Sequence, residues 1–265
     1  MVPSNFWDVL APHHFAIENH YLDVPTIRRI MDHLHDPVLM VGAGQGLIVA
    51  ALRKKGFQCD GIDLSAEMIR YAKLRRGIAL VRAAATAMPL ADRTYATVIY
   101  ATGVVDFTGD EEEIKAMLTE GRRVLKDSGK IFVAFFRASA AQERFLTSVG
   151  LVSNTLLAHR KALEVNLMNP AQMVAWVAKS AGLSYFRAST LLLRTWARST
   201  MQEKRLTFRM QRMFRKMDDP SSLINAAPEK QPYRNEAEIR KLFNRLEIPV
   251  EEIEAFASCY MVRVQ

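Results

Sequence analysis

The sequence predicts an α/β fold in which a mostly parallel sheet is covered on both faces by helices and carries a helical cap insertion. Three observations predict it. Short β-branched runs alternate with amphipathic helices over residues 37–136, the pattern of strands buried on both faces. A glycine-rich turn joins the first strand to the helix after it. About 100 residues then separate the fifth strand from a C-terminal helix and two further strands.

The elements follow in order. Residues 38–41 form the first strand, and a helix over 45–55 places Leu47, Ile48, Ala51 and Leu52 on one side and stops at Gly56. Residues 59–63 are the second strand. Ser65 caps the next helix, Glu67 sits in its first turn where the helix dipole favours negative charge, and Gly77 ends it. Strands three, four and five are 79–82, 97–101 and 130–136. Between the last two, a helix opens with acidic residues at 110–113 and closes with Arg122, Arg123 and Lys126. The final helix is placed at 236–246 and the final strands at 250–256 and 259–264. A rival placement puts the sixth helix and strand at 169–193 instead.

Composition bounds the reading. Hydrophobic residues make up 49% of the chain, enough for one α/β core plus an insertion. With no leader-like start and no run near the roughly 20 apolar residues of a membrane span, a cytoplasmic protein is expected. Cys59 and Cys259 fall in strand-like segments and read as small core residues, and the absence of a CxxC pair removes the commonest zinc and redox sites. The net charge is +8, concentrated in 187–216 and 70–76, whereas 106–120 is acidic. This distribution reads as a solvated basic face on an inserted segment, with an anionic surface or nucleic acid as the less favoured partner.

The chemistry lies in the first loop. Gly42-Ala43-Gly44-Gln45-Gly46 stands between a strand and a helix, where missing Cβ atoms let a ligand approach the backbone and the helix start offers free N–H groups. Asp63 ends the second strand about 20 residues later, placed to accept hydrogen bonds from a ribose. A dinucleotide fingerprint requires glycine where this chain has Leu47, which disfavours NAD.

The run Val38-Leu39-Met40-Val41-Gly42-Ala43-Gly44-Gln45-Gly46 resembles the first motif of class I S-adenosylmethionine-dependent methyltransferases, and Gly61-Ile62-Asp63-Leu64-Ser65-Ala66-Glu67-Met68 resembles the second. Ala87-Met88-Pro89-Leu90 and the segment 121–130 are similar to later parts of the same domain. The resemblance covers about half of the chain. It implies a Rossmann-like, seven-stranded, mostly parallel sheet with an antiparallel last strand, and S-adenosylmethionine as cofactor with S-adenosylhomocysteine as product. It further implies that Gly42, Ala43, Gly44 and Gly46 face the methionine part, Asp63 the ribose, and Leu64 and Met68 the adenine. Ala84, Ala85 and Thr86 form the other rim, and Ala101 and Thr102 lie by the methyl group. Three acids common in the family are replaced, by Met40, Ala84 and Ala96.

No residue stands out as a catalytic base. Asp106 follows the fourth strand and reads as a base or, with better support, a loop cap. His14 lies in the run 13–21, which in similar enzymes folds over the cofactor as a lid. A metal site would need His14 and Glu18 on one helix face with a third ligand, and a polar surface face is preferred.

The expected organisation is an N-terminal helical lid over 1–36, the cofactor-binding core over 37–136, a helical cap over 137–234 and the rest of the core sheet over 235–265. In the cap, Asn169 and Pro170 open a helix that Gly182 stops. Leu206, Met210, Met213, Phe214 and Met217 then share one face, while Lys204, Arg205, Arg209, Arg212, Arg215 and Lys216 take the other. The apolar stripe packs on the domain or lines an acceptor pocket. Two functions are expected from this reading: methyl transfer to a small or lipid-like acceptor, or non-catalytic, regulatory S-adenosylmethionine binding on a degenerate fold.

Overall fold

The computed structural model describes residues 6–18, 22–153, 155–199 and 201–264. They form two compact units, 1–137 with 234–265, and 138–233.

The first unit contains α1 (Phe6–His14), α2 (Val24–Ile30), β1 (Val38–Val41), α3 (Leu47–Lys54), β2 (Cys59–Asp63), α4 (Ala66–Arg76), β3 (Val81–Arg82), β4 (Tyr95–Tyr100), α5 (Glu111–Val124) and β5 (Leu125–Phe136). The second unit adds α6 (Ala140–Ser148), β6 (Val152–Ser153), β7 (Leu156–Leu157), α7 (His159–Val165), α8 (Pro170–Ser180), α9 (Tyr185–Arg198), α10 (Met201–Arg215), α11 (Pro220–Ala226) and β8 (Gln231–Pro232). The chain then returns to the first unit with α12 (Glu236–Arg245), β9 (Val250–Ala255) and β10 (Cys259–Val264).

The seven-stranded sheet has the order β3-β2-β1-β4-β5-β10-β9. Its strands from β3 to β5 pair in parallel, and β10 inserts antiparallel between β5 and β9. Only a short turn joins β9 to β10, so the two must run in opposite directions. Every residue of β1 is buried, as a central strand covered on both faces demands. Leu39 and Val41 point into a core shared with Ile114, Leu118, Ile239 and Phe243, whereas Val38 and Met40 join Ile27, Ile30, Ile48 and Leu52 on the opposite face. A one-residue slip of β1 would exchange these two sets.

Several expected boundaries move. The third strand shrinks to Val81–Arg82, an exposed edge pair. The fourth ends at Tyr100, leaving Ala101 beyond it. The fifth begins at Leu125, because its start pairs with Tyr95 before a register shift carries Lys130 opposite Thr97. Both cysteines are buried and unbridged.

In the second unit, the capping box of Asn169 and Gln172 opens α8 with Pro170 at the first turn, and Gly182 follows at φ +62°. The rival placement of strand six within 169–193 is overturned: Ser184 caps α9, and Ala188, Leu191 and Leu192 recur at helical spacing in an apolar cluster with Val149, Leu151 and Val177. A strand would have sent neighbouring apolar residues to opposite faces. Along α10 and just beyond it, Met213, Phe214 and Met217 are buried while Arg205, Arg209, Arg212 and Arg215 are exposed, so the apolar stripe packs and the basic face meets solvent.

Candidate cofactor site

The glycine-rich loop leaves β1 at the carboxyl edge of the sheet. Gly42, Gly44 and Gly46 have φ values of +70°, +53° and +77°, a left-handed region that strains any side-chain-bearing residue. Close approach adds a second constraint at Gly42, where a Cβ would stand 2.2 Å from Val104 Cγ2. Gly46 caps α3, and its carbonyl accepts from Ala50 at 2.9 Å.

Parallel pairing of β1 with β2 sets Val41 beside Ile62, so Asp63 stands next to the loop. The Gly44 N–H donates to Asp63 Oδ2 at 2.7 Å, and the Ser65 N–H donates to Oδ1 at 2.9 Å. Burial pushes the Asp63 carboxyl up to about 6, against the pull of these N–H groups, and Asp8 adds to the rise.

A cavity of about 410 Å³ opens between the loop, β2 and the segment after β4, within the range of small-ligand sites. Of the residues expected from sequence, Gly42, Gly44, Asp63, Leu64 and Met68 line it, as do Ala84, Ala85, Thr86 and Thr102. Three do not. Ala43 is tied to β2, its N–H donating to the Ile62 carbonyl, while Gly46 sits under Ile78 at the helix start and Ala101 is buried against Gly42 and Val41.

Residues 39–133 match the family model of a methyltransferase domain. No curated protein matches the chain in sequence. Among solved structures, an S-adenosylmethionine-dependent methyltransferase from Methanosarcina mazei is similar at 13% identity and a TM-score of 0.53, with 89% of this chain and 96% of that one covered. A protein from Pyrococcus horikoshii is similar at 15% identity and a TM-score of 0.51, covering 91% and 88%. The glycopeptide N-methyltransferase MtfA, solved with S-adenosylmethionine, shares 12% identity at a TM-score of 0.52, covering 91% and 86%. These likenesses are of fold. The matched stretch carries the glycine-rich loop, Asp63 and strands β2 to β4.

The fold surrounds the cleft with residues that sequence reasoning missed. Helix α1 lies along α4, where Asp8 Oδ1 accepts from the Ser65 hydroxyl at 2.5 Å and the Glu67 N–H at 3.2 Å. At its other side, Trp7 meets the Phe107 ring at 5.2 Å, so α1 bridges α4 and the loop after β4. Trp7, Phe107, Thr108, Glu113 and Met117 all join the wall. No motif or spacing in the sequence marks them, because they meet at the cleft only through tertiary packing. Within the expected lid, residues 19–21 lie outside the described part of the chain.

The expectation that His14 and Glu18 form a polar surface face is corrected. Helix α1 ends at His14, a turn follows, and both side chains are buried. Glu18 accepts from Arg76 at 2.6 Å. His14 lies on the cleft wall beside Gly44, and burial, helped by Arg76 and Arg75, lowers its imidazole to about 4. At neutral pH it is uncharged. Among the described residues, no three His, Cys, Asp or Glu side chains converge as a metal set.

Asp106 stands off the wall. Its Oδ2 accepts the Gly103 N–H at 3.2 Å and the Phe136 N–H at 2.9 Å, tying the loop after β4 to the end of β5. Burial raises its carboxyl to about 6. The arrangement is that of a positioning residue for the loop that carries Thr102 and Phe107. Of the replaced acids, Met40 packs in the apolar layer with Ile48 and Leu52, and Ala96 donates its N–H to Pro37 at 2.9 Å; Ala84 alone lines the cleft.

Proposed function

We propose that this cleft binds S-adenosylmethionine and that the protein transfers its methyl group to a small or lipid-like acceptor. The observation that carries the reading is the Asp63 carboxylate, held by the Gly44 N–H at the cleft floor and supplied with further acceptor lone pairs. Gly42 and Gly44 leave room for the methionine part where a Cβ would intrude. Asp63 accepts from the ribose hydroxyls, while Leu64 and Met68 face Ala84, Ala85 and Thr86 around the adenine. Thr102 marks the edge where the acceptor enters.

When bound, the cofactor supplies a methyl group on a sulfonium, ready for in-line displacement. The chain's part is to align the acceptor and exclude water. Trp7, Phe107 and Met117 give the outer wall an apolar lining suited to both tasks and to an apolar acceptor. Neither His14, neutral and buried, nor Asp106, bound to backbone, is required as a base in this reading.

Calorimetric titration tests it. S-adenosylmethionine or S-adenosylhomocysteine should bind more tightly than NAD; equal or tighter NAD binding would sink the proposal. Assay of methylated products from a metabolite extract then tests transfer itself.

The pH dependence gives a second test. The Asp63 carboxyl is raised to about 6, so below that pH it carries a proton and offers fewer acceptors to a ribose. S-adenosylhomocysteine affinity should weaken as pH falls through 6 and level off above 7. Asp63→Asn should flatten this slope. A wild-type affinity constant from pH 5 to 7.5 would remove Asp63 from the ribose.

A further inference from the structure

Helices α9 and α10 present an exposed face that the methyl-transfer site does not use. Residues 185–216 contain nine of the chain's 36 Lys and Arg but only Glu203 among its 28 Asp and Glu, so the entire net charge of +8 lies in this stretch. Elsewhere the charges cancel. At roughly 100° per residue, α9 divides into three sectors. Ala188, Leu191, Leu192 and Thr195 face inward, the first three in the apolar cluster of the second unit. Arg187, Arg194 and Arg198 form an exposed basic strip. Between them runs an apolar strip that faces solvent: Phe186 is 81% exposed, Leu193 68%, Tyr185 67% and Trp196 41%.

Helix α10 continues the pattern. Met201 and Phe208 are exposed among Arg205, Arg209 and Arg212, and the Phe208 ring meets Trp196 edge-on at 5.7 Å, joining the two helices' apolar strips. Lys204 Nζ stands 5.6 Å from the Trp196 ring centroid. Large side chains left in water at this level mark an interaction surface.

We propose that this face docks on an anionic lipid bilayer surface, with the arginines at the headgroups and Phe186, Leu193, Trp196, Met201 and Phe208 inserted among the upper acyl chains. The chemistry selects this occupant over others. A second copy would set nine cations against nine. Nucleic acid would pair with the arginines and stack on the rings, but it offers nothing to Leu193 and Met201, whereas a lipid interface accepts aliphatic and aromatic groups alike. No helix among the described residues is long and apolar enough to cross a membrane, so the contact is peripheral. The inference does not rest on methyl transfer and is read by binding alone.

The test is flotation of the full chain with vesicles of phosphatidylcholine containing about 30 mol% phosphatidylglycerol, against vesicles of phosphatidylcholine only. Binding should require the anionic lipid and weaken in about 0.5 M salt. Two variants separate the contributions: Phe186→Ser with Leu193→Ser and Phe208→Ser, and Arg194→Glu with Arg198→Glu and Arg209→Glu. Each should lower vesicle affinity at least tenfold while circular dichroism and S-adenosylhomocysteine binding stay as in wild type. If the triple serine variant fails to fold, quenching of Trp196 fluorescence by brominated lipid, in a chain whose Trp7 and Trp176 are replaced by Phe, reports insertion directly. Absence of binding to anionic vesicles overturns the proposal, as does full binding by the serine variant or an unquenched Trp196. Tighter binding to a single-stranded RNA that anionic vesicles fail to displace would assign the face to nucleic acid instead.

Discussion

Replacing Gly42 by alanine should lower thermal stability, weaken cofactor binding, or both. The position combines a φ of +70° with a Cβ only 2.2 Å from Val104 Cγ2. Left-handed backbone in a non-glycine residue costs about 1–2 kcal/mol, and an added methyl group in a filled space about 1–3 kcal/mol. The total is about 2–5 kcal/mol if nothing moves. Relief has its own consequence. Val104 sits in the segment after β4 that also carries Thr102 and Phe107 on the cleft wall, so its retreat displaces the site. Stability and binding therefore share the loss, and at least one must show it. Thermal unfolding and calorimetry on the purified variant measure both. A variant with wild-type melting temperature and wild-type S-adenosylhomocysteine affinity would disprove the packing argument.

Asp63→Ala is the second large effect expected. Losing hydrogen bonds to a charged acceptor weakens binding by about 1.5–3 kcal/mol, a factor of about 10–150 in the dissociation constant. The same substitution strips the Gly44 and Ser65 N–H groups of their shared acceptor, which loosens the glycine loop and the start of α4 together. Folding stability should change in a pH-dependent way. Since the folded-state pKa of Asp63 is raised to about 6, the group's stabilising contribution is fully present below its unfolded value near 4 and is lost as pH rises through 6. At neutral pH the charged carboxylate opposes folding, so removing it there offsets part of the lost hydrogen bonding. The melting temperature of the variant should fall further below wild type at pH 4 than at pH 7.5, while cofactor affinity falls at neutral pH. An unchanged dissociation constant would show that Asp63 serves the loop alone.

The order of the strands from β1 to β5, the two final strands and the glycine loop with Asp63 at its side were legible in the residues alone, though three strand bounds were not. Each of these is written in short-range physics. Ser65 with Gly77 and Asn169 with Gln172 mark helix ends by bonds between residues a turn apart, and the buried strand at 38–41 is a continuous apolar run. Once β1 and β2 pair in parallel, the loop and Asp63 must stand side by side. The tertiary structure alone decided the rest of the wall and the fate of the buried polar groups. Trp7 reaches Phe107 across a hundred residues of chain, Arg76 takes Glu18 inside, and Asp106 is claimed by the Phe136 N–H. No periodicity encodes such meetings. The same holds for the exposed strip on α9: composition showed its arginines, but an apolar residue in a helix reads as core until the packing of Ala188, Leu191 and Leu192 fixes which face turns inward and leaves Phe186 and Leu193 in water. Helical spacing gives the faces of a helix, and only the partner that covers one of them says which face is the inside.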